Sequence, residues 1–327
     1  MTTKTQITSR RTAVALLLAG LIATAAPNGS ARGNASFRSS PLRVVATTLS
    51  TERRTCLTTA WAAVTSVTPT SNVRSGDTKS ALPVTVSVFR IAYTAHTGDI
   101  RHAEVLLPSW YTPRNNPPLP LVISPHGRGA GGHYNAAFWG TLPTTGGFAV
   151  VNPDGMGRRF ERYSYGDPGQ IDDLARMPNI VCRALPWVHI YRERIYALGS
   201  SMGGQETLLL VARHPNLLAG AAAMDSVTDL VRRYRQLPQI AGGRNLQSMM
   251  RKEVGGTPGQ KPKAYEARSP LDLADSIAQS DVPLQIWWSK VDRIVIDQKH
   301  QSAALFRLIQ RLHPRAEVKA YVGYWRH

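Results

Sequence analysis

Ile195-Tyr196-Ala197-Leu198-Gly199-Ser200-Ser201-Met202-Gly203-Gly204 decides how the rest of this 327-residue chain is read. An apolar run passes into Gly-x-Ser-x-Gly, and the helix-forming Gln205-Glu206-Thr207-Leu208-Leu209-Leu210-Val211-Ala212-Arg213 follows. Strand, sharp turn and helix in that order place a serine on a strained backbone. Small residues are needed two positions to either side, because a Cβ there would collide with the neighbouring strand or helix. The hydroxyl then stands clear of the sheet edge at a helix N-terminus, whose dipole favours developing negative charge. Ser201 is therefore read as a nucleophile. The pentapeptide alone is a weak signal; the strand before it, the helix after it and partners further along the chain give it meaning.

The surrounding sequence predicts the elements such a turn needs. Leu119-Pro120-Leu121-Val122-Ile123-Ser124 is a continuous apolar run, as in a parallel strand buried on both faces, and it ends in Pro125-His126-Gly127-Arg128-Gly129. Gly147-Phe148-Ala149-Val150-Val151 is a further strand. Val84–Ile91 and Arg101–Leu107 alternate around a turn at Thr97-Gly98-Asp99, predicting an antiparallel hairpin at a sheet edge. Ile171, Leu174, Met177, Ile180, Val181 and Leu185 carry helical spacing through 170–187. After the nucleophile helix come the small apolar Ala219–Met224, then Asp225, then a polar stretch over 226–280 with helical pieces at 229–237 and 245–254. A strand at 283–288, a helix at 299–313 and a strand at 318–322 complete the pattern. Strands alternating with helices predict a doubly wound, mostly parallel α/β sheet, with a helical insertion at 226–280 between the last-but-two and last-but-one strands.

Composition sets outer bounds. With 43% hydrophobic residues the chain can bury a full core in one large domain. The formal charge of +18 comes from 39 Lys and Arg against 21 Asp and Glu, but the basic residues are scattered without a recognition motif. No specific nucleic acid is expected as a partner. Lys4, Arg10 and Arg11, the apolar run from Ala13 to Ile22 and Ala23-Thr24-Ala25 predict a twin-arginine-like signal peptide over 1–26 and an exported chain with no transmembrane segment after processing. Residues 27–82 read as a linker and N-terminal extension, with a short helix over the apolar patch Leu57–Val67. Cys56 and Cys182 either pair in an oxidising compartment or stay as separate thiols. No metal-ligand cluster or phosphate loop is visible, so neither cofactor nor metal is expected.

The block Arg194–Gly204, together with His126-Gly127-Arg128-Gly129, resembles the α/β-hydrolase fold over about Val84 to His327. Within that fold it is most similar to the catalytic domain of the prolyl oligopeptidase family, and also to single-domain secreted esterases of the feruloyl esterase and polyhydroxybutyrate depolymerase type. The resemblance implies a Ser-His-Asp triad in the chain order serine, acid, histidine. A serine hydroxyl needs such a base, within about 3 Å, to lose its proton as it attacks. His327 follows the last strand through Gly323-Tyr324-Trp325-Arg326, where the fold puts its base; His214, His300 and His313 read as surface or capping residues. Lys290-Val291-Asp292-Arg293-Ile294-Val295 matches the family's acid loop and implies Asp292, with Asp225 as the competitor if it is not a helix N-cap.

The oxyanion hole is implied at the backbone N–H of Met202 and one from Gly127 or Arg128, where many lipases carry glycine in place of the arginine. The insertion is expected to fold over the C-terminal edge of the sheet. Its Arg232, Arg233, Arg235, Arg251 and Lys252 form either a solvated face or an attraction for an anionic substrate group. Residues 83–327 are expected to be the hydrolase domain without the fold's final helix. A chain end beside His327 would raise the imidazole pKa. The expected activity is acyl transfer to water on a small ester or short peptide; peptidase, carboxylesterase and a catalytically impaired binding protein all stay open, as does the oligomeric state.

Overall fold

Nine strands form a single sheet in the order β1-β2-β3-β5-β4-β6-β7-β8-β9 in the computed structural model, which describes residues 64–74, as backbone, and 84–327 apart from Met156 and Glu161. The signal segment, the stretch to residue 63 and Cys56 lie outside the described residues. The strands are β1 (Val64–Arg74), β2 (Thr85–Thr94), β3 (Ile100–Pro108), β4 (Leu119–Ile123), β5 (Ala149–Pro153), β6 (Ile190–Ser200), β7 (Gly220–Met224), β8 (Leu284–Ser289) and β9 (Val318–Gly323). Pairing is antiparallel from β1 through β3 to β5 and parallel from β5 through β4, β6, β7 and β8 to β9.

The helices are α1 (Gly132–Trp139), α2 (Leu142–Gly146), α3 (Pro168–Ala184), α4 (Met202–Arg213), α5 (Leu230–Gln236), α6 (Gly243–Val254), α7 (Pro262–Glu266), α8 (Ala274–Ala278) and α9 (Ser302–Leu312). The start of α3 shows why these boundaries fall where they do. Asp167 accepts hydrogen bonds from the Gly169 and Gln170 N–H groups, and Pro168 occupies the first turn, where no N–H is needed. Four helices, α5 to α8, lie between β7 and β8.

The strand pleat sorts side chains into two cores. Leu121 and Ile123 of β4 join α3, α4, α8 and α9 on one face, whereas Val122 joins Trp139, Leu198, Trp287 and Trp325 on the other. On α4, Leu208, Leu209, Leu210 and Val211 are all fully buried. Each such side chain contributes about 1.5–3 kcal/mol by leaving water, so the helix that follows the Ser201 turn is among the most firmly seated elements.

Two expectations are corrected. The patch Leu57–Val67 is not a helix where it is described: from Val64 the chain is strand, pairing antiparallel with β2 in a register that runs to Arg74↔Thr85. Val64, Thr65, Val67 and Thr68 are β-branched, which favours a pleated surface over a helix. Consequently the hairpin β2–β3 does not end the sheet, because β1, from within the N-terminal extension, lies beyond it.

The sheet order also contains a point of reversal. The chain leaves β4 for β5 on one side and then returns past β4 to β6 on the other. Ligands of such sheets bind outside the carboxyl ends of the strands at the point of reversal. The loops that emerge there follow β4, with Gly127 and Arg128, and β6, with Ser201.

Candidate active site

Ser201 stands between β6 and α4 with φ 61° and ψ −121°, a region that side chains rarely adopt. Its neighbours over-determine that conformation. A Cβ on Gly199 would lie 2.2 Å from the Gly203 carbonyl oxygen, and one on Gly203 would lie 2.2 Å from the Pro125 carbonyl oxygen. On Gly204 a Cβ would meet the Ser226 hydroxyl at 2.3 Å. The Ser201 N–H donates to the Met224 carbonyl at 2.9 Å, tying the turn to β7. Glycine at these positions is therefore a packing requirement, and the turn is pressed between the β4 loop and β7.

A cleft of about 220 Å³ opens above this turn. Ser201 and His327 both line it, with Gly127 and Arg128 on one side and the apolar Phe138, Leu198, Met224 and Ile294 around them. Met202 begins α4, where helical N–H groups have no intrahelical acceptor. A Cβ built on Gly127 would sit 3.8 Å from the Ser201 Cβ, so the β4 loop reaches the serine. The Gly127 carbonyl lies 2.8 Å from the His126 Nδ1 and accepts from the Ala130 N–H at 3.1 Å. Because the peptide is planar, fixing that carbonyl also fixes the direction of the Arg128 N–H.

The imidazole of the site comes from the far end of the sequence. His327 Nδ1 lies 2.9 Å from Asp292 Oδ2. An ionised carboxylate only accepts, so the ring donates its Nδ1–H and leaves Nε2 as the basic nitrogen. The Asp292 side chain is 1% exposed and that of His327 13%. Asp292 Oδ1 accepts from the Ile294 N–H at 2.8 Å and the Val295 N–H at 3.0 Å, and Oδ2 also accepts from Gln298 at 3.3 Å. Burial pushes the Asp292 carboxyl up, but the His327 ring and these donors outweigh it, and the net shift is down. Ser201 and His327 both line this cleft, and no hydrogen bond joins the serine hydroxyl to the ring in this structure.

Asp225 is neither the partner of His327 Nδ1 nor a helix cap. It is fully buried, with Oδ1 accepting from the Ser289 N–H at 2.8 Å and Oδ2 from the Trp325 indole N–H at 2.7 Å. The cap of α5 is Asp229, whose side chain accepts from the Arg232 N–H at 2.7 Å. Burial raises the Asp225 carboxyl, and the charge of Asp292 adds to that effect. The Ser289 hydroxyl donates to the Trp325 carbonyl at 2.6 Å, so Asp225, Ser289 and Trp325 form a platform two residues before His327. Sequence reasoning missed this platform, and the signal available for it was only a tryptophan close to the expected base.

Asp225, Asp292 and His327 offer ligand atoms within 4.8 Å of one another. Both Asp225 oxygens are taken by N–H donors and His327 Nδ1 by Asp292, so the group is a hydrogen-bonded assembly and a poor metal cage. The other downstream histidines pair with acids outside the cleft lining: His214 with Asp172 at 3.0 Å, His300 with Asp297 at 2.7 Å and His313 with Asp275 at 2.9 Å. Cys182 is buried on α3. No helix among the described residues is long and apolar enough to cross a membrane.

Comparisons with known proteins place the chain among its relatives. The profile of the prolyl oligopeptidase family matches residues 141–323, more than half of the chain. An uncharacterized peptidase, YtmA of Bacillus subtilis, is 26% identical over 133 residues, 41% of this chain and 48% of the relative, so the chain matches about half the length of that curated protein. Among solved structures, the acylaminoacyl peptidase of Pyrococcus horikoshii superposes with a TM-score of 0.57 at 16% identity, over 73% of this chain and 37% of that one. FphF, a fluorophosphonate-binding serine hydrolase of Staphylococcus aureus, superposes with a TM-score of 0.54 at 17% identity, over 74% of this chain and 92% of that one.

Proposed function

The chain belongs to the prolyl oligopeptidase family and is a serine hydrolase, and from that premise we propose that Ser201, His327 and Asp292 are its catalytic triad. The observation that carries the reading is the Asp292–His327 hydrogen bond of 2.9 Å at the wall of the cleft that Ser201 also lines. In this reading His327 Nε2 takes the Ser201 proton as the hydroxyl attacks a carbonyl carbon, and Asp292 holds the tautomer and stabilises the imidazolium. The Met202 N–H, with Gly127 or Arg128 supplying the second donor, meets the developing oxyanion; each such donor is worth about 3 kcal/mol. His327 then gives the proton to the leaving group, and water resolves the acyl-enzyme by the same route.

The bond cleaved is a peptide or ester bond. A carboxylesterase of the feruloyl esterase or polyester depolymerase kind is the second reading, favoured by the 92% coverage of FphF against 37% of the acylaminoacyl peptidase. Parallel assays on p-nitrophenyl butyrate and on a proline-containing peptide amide separate the two. Ser201→Ala is expected to lower turnover of the better substrate by at least about 10³-fold and to abolish fluorophosphonate labelling; retained turnover would reject the triad. The basic, apolar and Ala-x-Ala stretches within 1–26 are the ground for proposing export, and a mature N-terminus that still begins at Met1 would count against it.

A further inference from the structure

The cleft and the wall behind it hold two guanidinium groups that no carboxylate of the described residues pairs with. Arg128 lines the cleft beside Gly127, and its Nη1 is buried without a hydrogen-bond partner. Buried donors are nearly always satisfied, and a charged one left unmade is costly. Arg233, on α5, is 4% exposed and donates from Nη1 to the Ile294 carbonyl at 2.7 Å, behind a residue of the cleft wall. Burial pushes the Arg233 guanidinium down to about 10, and the charge of Arg128 pushes the same way, while Tyr165 and Asp292 pull it back. Burial likewise pushes the Tyr165 hydroxyl up to about 12, against the pull of the Arg128 guanidinium beside it.

Nearby arginines do find acids. Arg232 reaches Asp297 at 2.8 Å and Arg268 reaches Asp167 at 2.7 Å. Asp292, the acid that Arg233 senses, is occupied by His327 and three further donors. A guanidinium at the cleft lining with no carboxylate of the described residues on it is what an incoming carboxylate would complete, since a guanidinium grips that group with paired hydrogen bonds. Phe138, Leu198 and Met224 supply an apolar surface for the body of the same molecule.

We infer that Arg128 forms a carboxylate-binding subsite at the cleft lining, with Arg233 adding its charge from behind the wall, so that the substrate is an ester or peptide bearing a carboxylate close to the scissile bond. This rests on the reading of Ser201 as nucleophile. The carboxylate belongs either to the acyl group or to the leaving group, and two substrate pairs tell these apart. One compares mono-p-nitrophenyl glutarate with p-nitrophenyl butyrate; the other compares acetyl-dialanine as the free acid with its C-terminal amide.

The wild-type chain is expected to prefer the anionic member of one pair by at least about tenfold in kcat/KM, the scale of a charge-assisted hydrogen bond. Arg128→Met should reduce that ratio about tenfold and Arg233→Met by less, with Arg128→Lys keeping part of it. Using the ratio corrects for any general loss of activity in the variants. Should a variant fail to fold, inhibition of the wild type by 4-phenylbutyrate against 4-phenylbutyramide gives the same answer, and the acid should bind at least about tenfold tighter. Equal rates within both pairs and equal inhibition, with Ser201-dependent turnover of the neutral ester, would overturn the subsite and leave the nucleophile standing. A preference that survives both methionine variants would overturn its assignment to these arginines. No turnover of any substrate and no fluorophosphonate labelling would remove both readings together.

Discussion

Ser201 and His327 face one cleft but are held there by different physics. The serine is fixed by backbone sterics: Gly199, Gly203 and Gly204 leave no room for a Cβ, and the strained turn is clamped between the β4 loop and β7. The histidine is fixed by side-chain hydrogen bonds, to Asp292 directly and through Trp325 to Asp225 and Ser289. A steric clamp fails as a unit when one atom is added to it. A hydrogen-bonded platform can lose one partner and keep its shape while losing its function.

Three substitutions sharpen that contrast. The largest effect is expected from Asp292→Asn, whose amide would present a donor to Nδ1 and favour the wrong tautomer. Steady-state kinetics should show kcat reduced by about 10³–10⁴-fold with the melting temperature little changed; a loss under tenfold would make Asp292 dispensable. On the steric side, Gly203→Ala forces a Cβ to 2.2 Å from the Pro125 carbonyl. Overpacking of that kind costs about 1–3 kcal/mol or more, and denaturant unfolding should report it together with lost activity. An unchanged midpoint would mean that the clamp yields.

The third concerns Glu206, buried on α4 and bonded to the Ser164 hydroxyl. Burial pushes its carboxyl up from 4.5 to about 8. Between those values the folded chain keeps a proton that the unfolded chain has released, so stability falls as pH rises through that window. Glu206→Gln should flatten the fall. The difference between wild type and variant in melting temperature should shift by on the order of 5 °C from pH 5 to pH 9, and parallel curves would deny the buried acid this role.

What the sequence made legible follows the same division. The elbow could be read because its requirement is local: glycines at fixed offsets between a strand and a helix. The parallel strands could be read because burial on both faces leaves continuous apolar runs such as Leu119–Ile123. The platform could not, since Trp325 and Asp225 stand 100 residues apart and only tertiary folding joins them. Asp292 and His327 are legible only through chain order and family resemblance, which supplies the acid loop Lys290–Val295 that favours Asp292 over Asp225. The strand at Val64–Arg74 is not legible because the apolar patch Leu57–Val67 suits a short helix until β2 is there to pair with it.

The backbone at Ser201 has one more consequence. With φ 61° and ψ −121°, the position suits glycine better than any residue with a Cβ, at a difference of about 1–3 kcal/mol. Ser201→Gly should therefore melt above Ser201→Ala. On the proposed role of Ser201, a search for heat-resistant variants that scored melting alone would be drawn toward an inert protein, so any such search on this chain has to count turnover alongside it.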